Sequence, residues 1–398
     1  MKHIAILGFG IVGSGVARVL EQNAARIART VGDEVDIQYI LDLRDFPDSP
    51  YADRVIHEIA PILDDPGVAL VCETMGGSHP ALEYSLACME AGKSVVSSNK
   101  EVVANYGDLL LRKAKEHGVS YLFEASVGGG IPLIRPFLTS LASDRVSEIC
   151  GIVNGTTNYI LTKMKEEGRA FGEVLAEAQR LGYAERDPSA DIDGIDAKRK
   201  IIILTALASG ILPDDGDVYA GSIRGITVRD IEAADRLGGV LRLIARTVLS
   251  DDGRVSAYVT PMIVKNAHPL AHVEGVYNAV SVTSPVTGDI LYYGRGAGSL
   301  PTAGAVLSDV SAILSGAAQA EFAPVFVRKP GAAIPFGEQS FPFYVRAEGS
   351  AAEAREKLEA VCASVVRIGD GAEFETGEMT MADVKRALPD AVILPILR

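Results

Sequence analysis

The segment Gly8-Phe9-Gly10-Ile11-Val12-Gly13 constrains the fold of this chain more than any other. An apolar run, His3–Leu7, leads into it. Behind it Val12, Val16, Val19 and Leu20 recur at helical spacing within Ile11–Ile27. A G-x-G-x-x-G pattern carries meaning only between a strand and a helix, and it stands there here. Glycines at such a point permit a tight turn and let the backbone approach a pyrophosphate. The helix N-terminus adds N–H groups and the positive end of its dipole. The other reading is a glycine-rich turn that only packs helix on strand. The pattern predicts a dinucleotide held by Gly8, Phe9, Gly10, Ile11, Val12 and Gly13. A carboxylate for the ribose is expected at the end of the second strand, where Asp42 would favour NAD. Arg44, two residues on, would instead hold the 2′-phosphate of NADP. Both are equally readable as solvated loop charges, so the cofactor is NADP or NAD.

Strands at Val35–Leu43, Val68–Glu73, Ser94–Ser97 and Ser120–Glu124 are interleaved with helices at Pro80–Ala91 and Tyr106–His117. That alternation predicts a parallel, doubly wound sheet. The expected class is α/β, with an N-terminal Rossmann dinucleotide-binding domain over residues 1–130, completed by a helix near 301–318. After Glu124 the pattern changes. Helices at Tyr159–Glu167, Phe171–Leu181 and Ile195–Ser209 and strands at Val146–Asn154, Val255–Met262 and Val276–Val282 predict an α+β domain over 131–300. From Phe343 the order strand, helix, strand, strand, helix, strand is ferredoxin-like, over 340–398.

Charge narrows the partners. The 398 residues carry 38 Lys and Arg against 52 Asp and Glu, a net charge of −14. An acidic chain without a basic run is a poor ligand for nucleic acid or an anionic membrane surface. No apolar run is long enough for a membrane span, and the N-terminus lacks the pattern of a signal peptide. Cys72, Cys88, Cys150 and Cys362 form no C-x-x-C pair, which points to a reducing, cytoplasmic setting. Gly92-Lys93-Ser94 lacks the first glycine of a P-loop, and Pro269 interrupts the His268/His272 pair, so neither a P-loop nor a helical zinc pair is expected.

The chemistry-bearing candidates lie in the middle of the chain. Asn154-Gly155-Thr156-Thr157-Asn158 reads equally as a helix cap and as a loop offering hydroxyls to a ligand. Five acids, Glu185, Asp187, Asp191, Asp193 and Asp196, then precede the apolar run Ile201–Ala208. Asp196 and Lys200 share a helix face. A solvated surface pair is the bland reading. At the mouth of a buried helix the same pair would be desolvated, which suits a lysine to proton transfer.

Taken together, these segments resemble the homoserine dehydrogenase family. The matching pieces are G-F-G-I-V-G at 8–13, E-T-M-G-G at 73–77, S-S-N-K at 97–100, E-A-S-V-G-G-G-I-P at 124–132 and N-G-T-T-N-Y-I-L at 154–161. G-Y-A-E-x-D-P-x-x-D at 182–191, D-G-I-D-A-K-R-K at 193–200 and Y-G-R-G-A-G-x-x-P-T-A at 293–303 complete the set, in the family's order. The resemblance implies reversible hydride transfer between NAD(P)H and aspartate 4-semialdehyde, giving homoserine. It implies a small-molecule substrate and a homodimer or homotetramer built on the second domain.

By position the resemblance implies Lys200, Lys100 and Asp196 as catalytic, with Lys200 donating the proton and Asp196 orienting it. Glu185 and Asp191, with Thr156 and Gly155, would hold the substrate. Thr74, Gly76, Ser98, Lys100, Gly182, Glu185, Gly296 and Gly298 would join the cofactor contacts. A monovalent cation, Na+ or K+, is implied at Glu124 with the carbonyls of Val127, Gly129 and Ile131. The C-terminal segment would be an ACT-like domain. Its expected D-x-P-G-V-L turn reads Glu348-Gly349-Ser350-Ala351-Ala352-Glu353, which implies weakened or absent threonine feedback. The alternatives are an inactive NAD(P)-binding regulator and a dehydrogenase of another small amino or hydroxy acid.

Overall fold

The structure is a computed structural model that describes residues 1–318, 323–369 and 371–398. The chain forms two compact units. The first comprises Met1–Ser143, Ala206–Leu212 and Gly294–Lys329; the second comprises Asp144–Thr205, Pro213–Tyr293 and Pro330–Arg398.

The first unit holds six parallel strands: β1 (Lys2–Leu7), β2 (Val35–Leu41), β3 (Val55–Ile56), β4 (Val68–Glu73), β5 (Ser94–Ser97) and β6 (Tyr121–Leu122). Their order, β3-β2-β1-β4-β5-β6, reverses direction at β1/β4, the switch point of a doubly wound sheet. Ile4, Ile6, Leu70, Cys72 and Val96 are fully buried in the sheet. Val16 and Leu20 from Ile11–Gln22 cover it, together with Ala303, Val306 and Val310 from the late helix Ser299–Leu314. Gly15 lets the two helices approach, because a Cβ there would collide with Ser299. Ser299 Oγ donates to Ile11 O at 2.7 Å. The helix expected over Ile11–Ile27 is broken at Asn23, and a second, Ala24–Val31, follows. The helix expected from Tyr106 begins six residues earlier, at Lys100, because Asn99 caps it.

The second unit is built on a ten-stranded mixed sheet. Its strands are β7 (Glu148–Ile152), β8 (Tyr219–Ala220), β9 (Gly239–Leu249), β10 (Val255–Lys265), β11 (Tyr277–Ser284) and β12 (Gly288–Arg295), followed after a short β13 (Ser340–Phe341) by β14 (Phe343–Arg346), β15 (Val365–Arg367) and β16 (Glu373–Thr376). Beyond the two-residue β17 (Met379–Thr380), β18 (Val392–Leu397) completes it, in the order β12-β11-β7-β9-β10-β18-β14-β16-β15, with β8 beside β10. The last four of that path are antiparallel and run β18-β14-β16-β15, with helices Ala351–Glu359 and Met381–Ala387 between them, which is the ferredoxin-like order. This subsheet continues the larger one, because β18 pairs with β10 at Ile263–Ile396 and Val264–Leu397. Ion pairs to buried carboxylates reinforce the join. Arg346 Nε meets Asp230 Oδ1 at 2.8 Å, and Glu373 takes both Arg229 and Arg236 from the helix Val228–Arg236.

Candidate active site

The glycine loop joins β1 to the helix Ile11–Gln22 as the pattern requires. Gly8 has φ +87°, a left-handed conformation suited to glycine. A Cβ on Gly13 would collide with the Gly8 carbonyl, so the third glycine is needed for close helix–strand packing. Gly10 faces open space, which leaves room for a phosphate at the helix N-terminus. Thr74, just past β4, donates its hydroxyl to Gly8 O at 2.7 Å and holds the loop from the far side of the switch point. These residues fit a dinucleotide pyrophosphate.

Asp42 follows β2 and is not a solvated loop charge; its side chain is only 9% exposed. Its Oδ2 accepts from Phe9 N at 2.7 Å, and its Oδ1 accepts from Arg44 N and Nε at 3.0 Å each. Partial burial works to raise the Asp42 carboxyl. The Arg44 guanidinium and the Phe9 and Arg44 amides outweigh it and bring the carboxyl down to about 2. Arg44 stays exposed at the rim, over the Phe46 ring.

Gly76, Ser98 and Lys100 stand in the turns after β4 and β5, at the carboxyl edge of the sheet where open α/β folds bind ligands. Asn99 Oδ1 accepts from Glu101 N and Val102 N, so Lys100 occupies the first position of a capped helix. Gly298, with φ +127°, precedes the helix Ser299–Leu314. Gly129 packs backbone to backbone on Gly296, and Gly130 N donates to Arg295 O at 3.1 Å. The glycine loop at 128–130 and the one at 294–298 are thereby brought together.

Glu124 is buried. Its carboxylate caps the helix Ile134–Leu138, with Oε1 accepting from Leu133 N and Ile134 N (2.7 and 2.9 Å) and Oε2 from Arg135 N (2.7 Å). Oε2 has capacity for another partner. Val127 and Ile131 are buried on either side of the glycine turn. Among the described residues no group of three or more His, Cys, Asp or Glu could hold a metal ion. His268 caps the short turn Pro269–His272, and all four cysteines are buried free thiols.

The second unit gathers the other candidates. Lys200 Nζ donates to Asp196 Oδ2 and to Val153 O, each at 2.7 Å. Both side chains are about nine-tenths buried, which rules out the solvated surface pair. Asn154 is the residue that the sequence left undecided, and it does two things. Its Oδ1 caps the helix Gly155–Glu167 by accepting from Thr157 N. Its Nδ2 donates to Asp191 Oδ1 at 2.7 Å and to Asp196 Oδ2 at 2.9 Å. One amide therefore links both carboxylates with Lys200. Burial raises the Asp191 carboxyl; Asn154 opposes that rise and the Asp196 charge adds to it.

Gly155 approaches the Val276 carbonyl so closely that a Cβ would collide. Thr156 Oγ1 donates to Tyr183 O at 2.7 Å, which ties this helix start to the turn at Gly182 (φ +77°). Glu185 is exposed in that turn, and its carbonyl accepts from Gln179. Asp191, Asp196 and Lys200 thus meet at the start of the helix Gly155–Glu167, with Thr156 tied to Tyr183 beside Gly182, whereas Glu185 is held against Gln179 of the helix Phe171–Arg180.

Known proteins resemble this chain along most of its length. The family model "Homoserine dehydrogenase, NAD binding domain" matches residues 8–124, and the model "Homoserine dehydrogenase" matches residues 132–311. A homoserine dehydrogenase of Synechocystis sp. is 44% identical over 315 residues, covering 77% of this chain and 72% of its own. One of Bacillus subtilis is 40% identical over 315 residues, covering 78% and 72%. Among solved structures, a homoserine dehydrogenase from Thiobacillus denitrificans superposes with a TM-score of 0.89 at 31% identity, over 99% of this chain and 98% of that one. A hyperthermophilic archaeal homoserine dehydrogenase in complex with NADPH superposes with a TM-score of 0.67 at 29% identity, over 79% and 98%. No helix among the described residues is long and apolar enough to cross a membrane.

Proposed function

The chain belongs to the homoserine dehydrogenase family, and on that premise we propose how its side chains share the interconversion of aspartate 4-semialdehyde and homoserine. It is an NAD(P)-dependent oxidoreductase acting on a small molecule. Bound NAD(P)H supplies the hydride that reduces the aldehyde carbon, and NAD(P)+ accepts it in reverse. Gly8–Gly13, Thr74, Gly76, Ser98, Gly296 and Gly298 would hold the cofactor, with Asp42 on the adenosine ribose. Arg44 beside it extends the choice to NADP.

Lys200 is the proton donor. An ammonium has three protons. Two are directed at Asp196 and Val153 O, and the third serves the oxygen that becomes the homoserine hydroxyl. The hydride and that proton together balance the reduction, and in reverse the same nitrogen takes the hydroxyl proton. Asp196 fixes the lysine, which positions the acid where negative charge develops. Asp191, held by Asn154, and Glu185 receive the substrate ammonium. Lys100 is read as a second cation for the developing negative charge.

A monovalent cation at Glu124 Oε2 and the carbonyls of Val127, Gly129 and Ile131 would stiffen the glycine loop; oxygen-only ligands suit a hard ion. The exposed edge strand β12, with Leu291 and Tyr293, supports a homodimer or homotetramer. The C-terminal segment is read as ACT-like without the effector turn. Gly349 (φ +88°) and the Ser350 cap replace that turn, so millimolar threonine should leave the rate unchanged.

The observation that carries this reading is the buried Lys200–Asp196 pair, joined through Asn154 to Asp191. Homoserine-dependent reduction of NAD+ and NADP+, measured side by side, tests it. Activity with at least one is expected; none with either contradicts it.

A further inference from the structure

Glu73 is the last residue of β4, and its side chain is fully buried. A buried carboxylate is costly unless it is well partnered. Its partners here are neutral. Ser97 donates its hydroxyl to Oε2 at 2.6 Å, and the Met75 amide donates to Oε1 at 2.8 Å. Ser97 Oγ in turn accepts from Asn99 N at 3.0 Å. Asn99 donates from its side chain to Gly77 O at 2.7 Å and caps the helix that begins with Lys100. One carboxylate thus joins the loop after β4 to the turn after β5, and both lie at the carboxyl edge of the sheet.

We propose that Glu73 is a positioning residue for the reaction: it sets the Thr74–Gly77 loop against the Asn99-capped turn and thereby places Lys100. The inference rests on the reading of Lys100 as catalytic. Ionised Glu73 only accepts, and both neighbours donate to it. Protonation puts a hydrogen on one of those oxygens. The Met75 amide cannot reverse, and Ser97 can take the new hydrogen only by turning its own away from Glu73, so protonation rearranges the link between the two turns. Burial pushes the Glu73 carboxyl up to about 7, with Ser97, the Met75 amide and Asn99 pulling it back. That rearrangement therefore falls near neutrality. β1 presents apolar Leu7 to it, β5 presents Ser97, and β6 presents the Tyr121 phenol, the titratable group among these neighbours.

The test compares wild type, Glu73→Gln, Ser97→Ala and Lys100→Ala for kcat and for KM of cofactor and homoserine, from about pH 6 to about pH 9. In Glu73→Gln kcat should fall about ten- to a hundredfold, since small misplacements of reacting groups cost that much. The rise of wild-type kcat through about pH 7 should flatten in that variant. Ser97→Ala should lower kcat but keep the rise, and it carries the test if Glu73→Gln does not fold. Wild-type kcat and an unmoved pH profile in Glu73→Gln, or wild-type kcat in Ser97→Ala, overturn the role of Glu73. A wild-type rate in Lys100→Ala instead overturns the reading beneath it.

Discussion

Lys200 Nζ lies 2.7 Å from Asp196 Oδ2, four residues back on the same helix, and both side chains are about nine-tenths buried. An exposed pair at this spacing contributes only a few tenths of a kcal/mol. A buried one is different, because removing either partner leaves the other charge without a counter-charge away from water. The same Asp196 oxygen also accepts from Asn154, so the pair belongs to a network that reaches Asp191.

Asn154→Ala removes a helix cap and both carboxylate contacts in one step. The cap alone is worth about 0.5–2 kcal/mol. Thermal denaturation should show a lowered Tm. KM for homoserine should rise about tenfold, as expected for loss of a charge-assisted contact. An unchanged KM would detach Asp191 from substrate binding.

The Asp42–Arg44 arrangement separates the two cofactors. Arg44→Ala should raise KM for NADP about tenfold or more and leave KM for NAD within about twofold, because only the 2′-phosphate needs the guanidinium. Asp42→Ala should weaken both, since Asp42 also holds the Phe9 amide of the glycine loop. Equal responses of the two cofactors to Arg44→Ala would remove Arg44 from the site.

Asp309 makes stability depend on pH. It is buried on the helix Ser299–Leu314, accepting from Glu124 N at 2.8 Å and from Arg135 at 2.6 Å. Burial pushes its carboxyl up to about 7 against those bonds. Between the ordinary carboxylate range and about 7, the unfolded chain has released this proton and the folded chain keeps it. The folded state then binds more protons, so stability falls as pH rises across that window. It is fully present below the ordinary value and lost above about 7. Melting curves at a series of pH values should show Asp309→Asn gaining on wild type as pH rises. A constant difference in Tm would contradict the titration.

The proposed cation is separable from the helix cap at Glu124. Potassium or sodium, compared with tetramethylammonium at equal ionic strength, should raise Tm and kcat of the wild type and leave Glu124→Gln unmoved. Identical curves in the three salts would leave Glu124 as a helix cap alone.

The parts of this architecture legible in the sequence are those written in local pattern. The glycine loop, the strands Val68–Glu73 and Ser94–Ser97, and the helix Ile195–Ser209 stand where spacing placed them. The strand Gly239–Leu249 escaped because it is buried along most of its length while carrying Arg242 and Arg246. Those arginines find partners far away, Ala271 O and Glu148, so the strand neither alternates nor reads as continuously apolar. Asn154 looked like a cap and is one. Its second role depends on residues 37 and 42 positions away, a relation no local pattern contains. Glu73 was hidden for the same reason, because its partner Ser97 lies 24 positions on.

The most direct measurement is the rate of homoserine-dependent NAD(P)+ reduction by Lys200→Ala, together with its affinity for NAD(P)H. The chain has no Trp, so the fluorescence of bound NAD(P)H can be followed without indole background. A kcat lowered about 10²–10⁴-fold, the range for loss of a general acid, is expected with cofactor affinity unchanged. A rate near that of the wild type would contradict Lys200 as the proton donor.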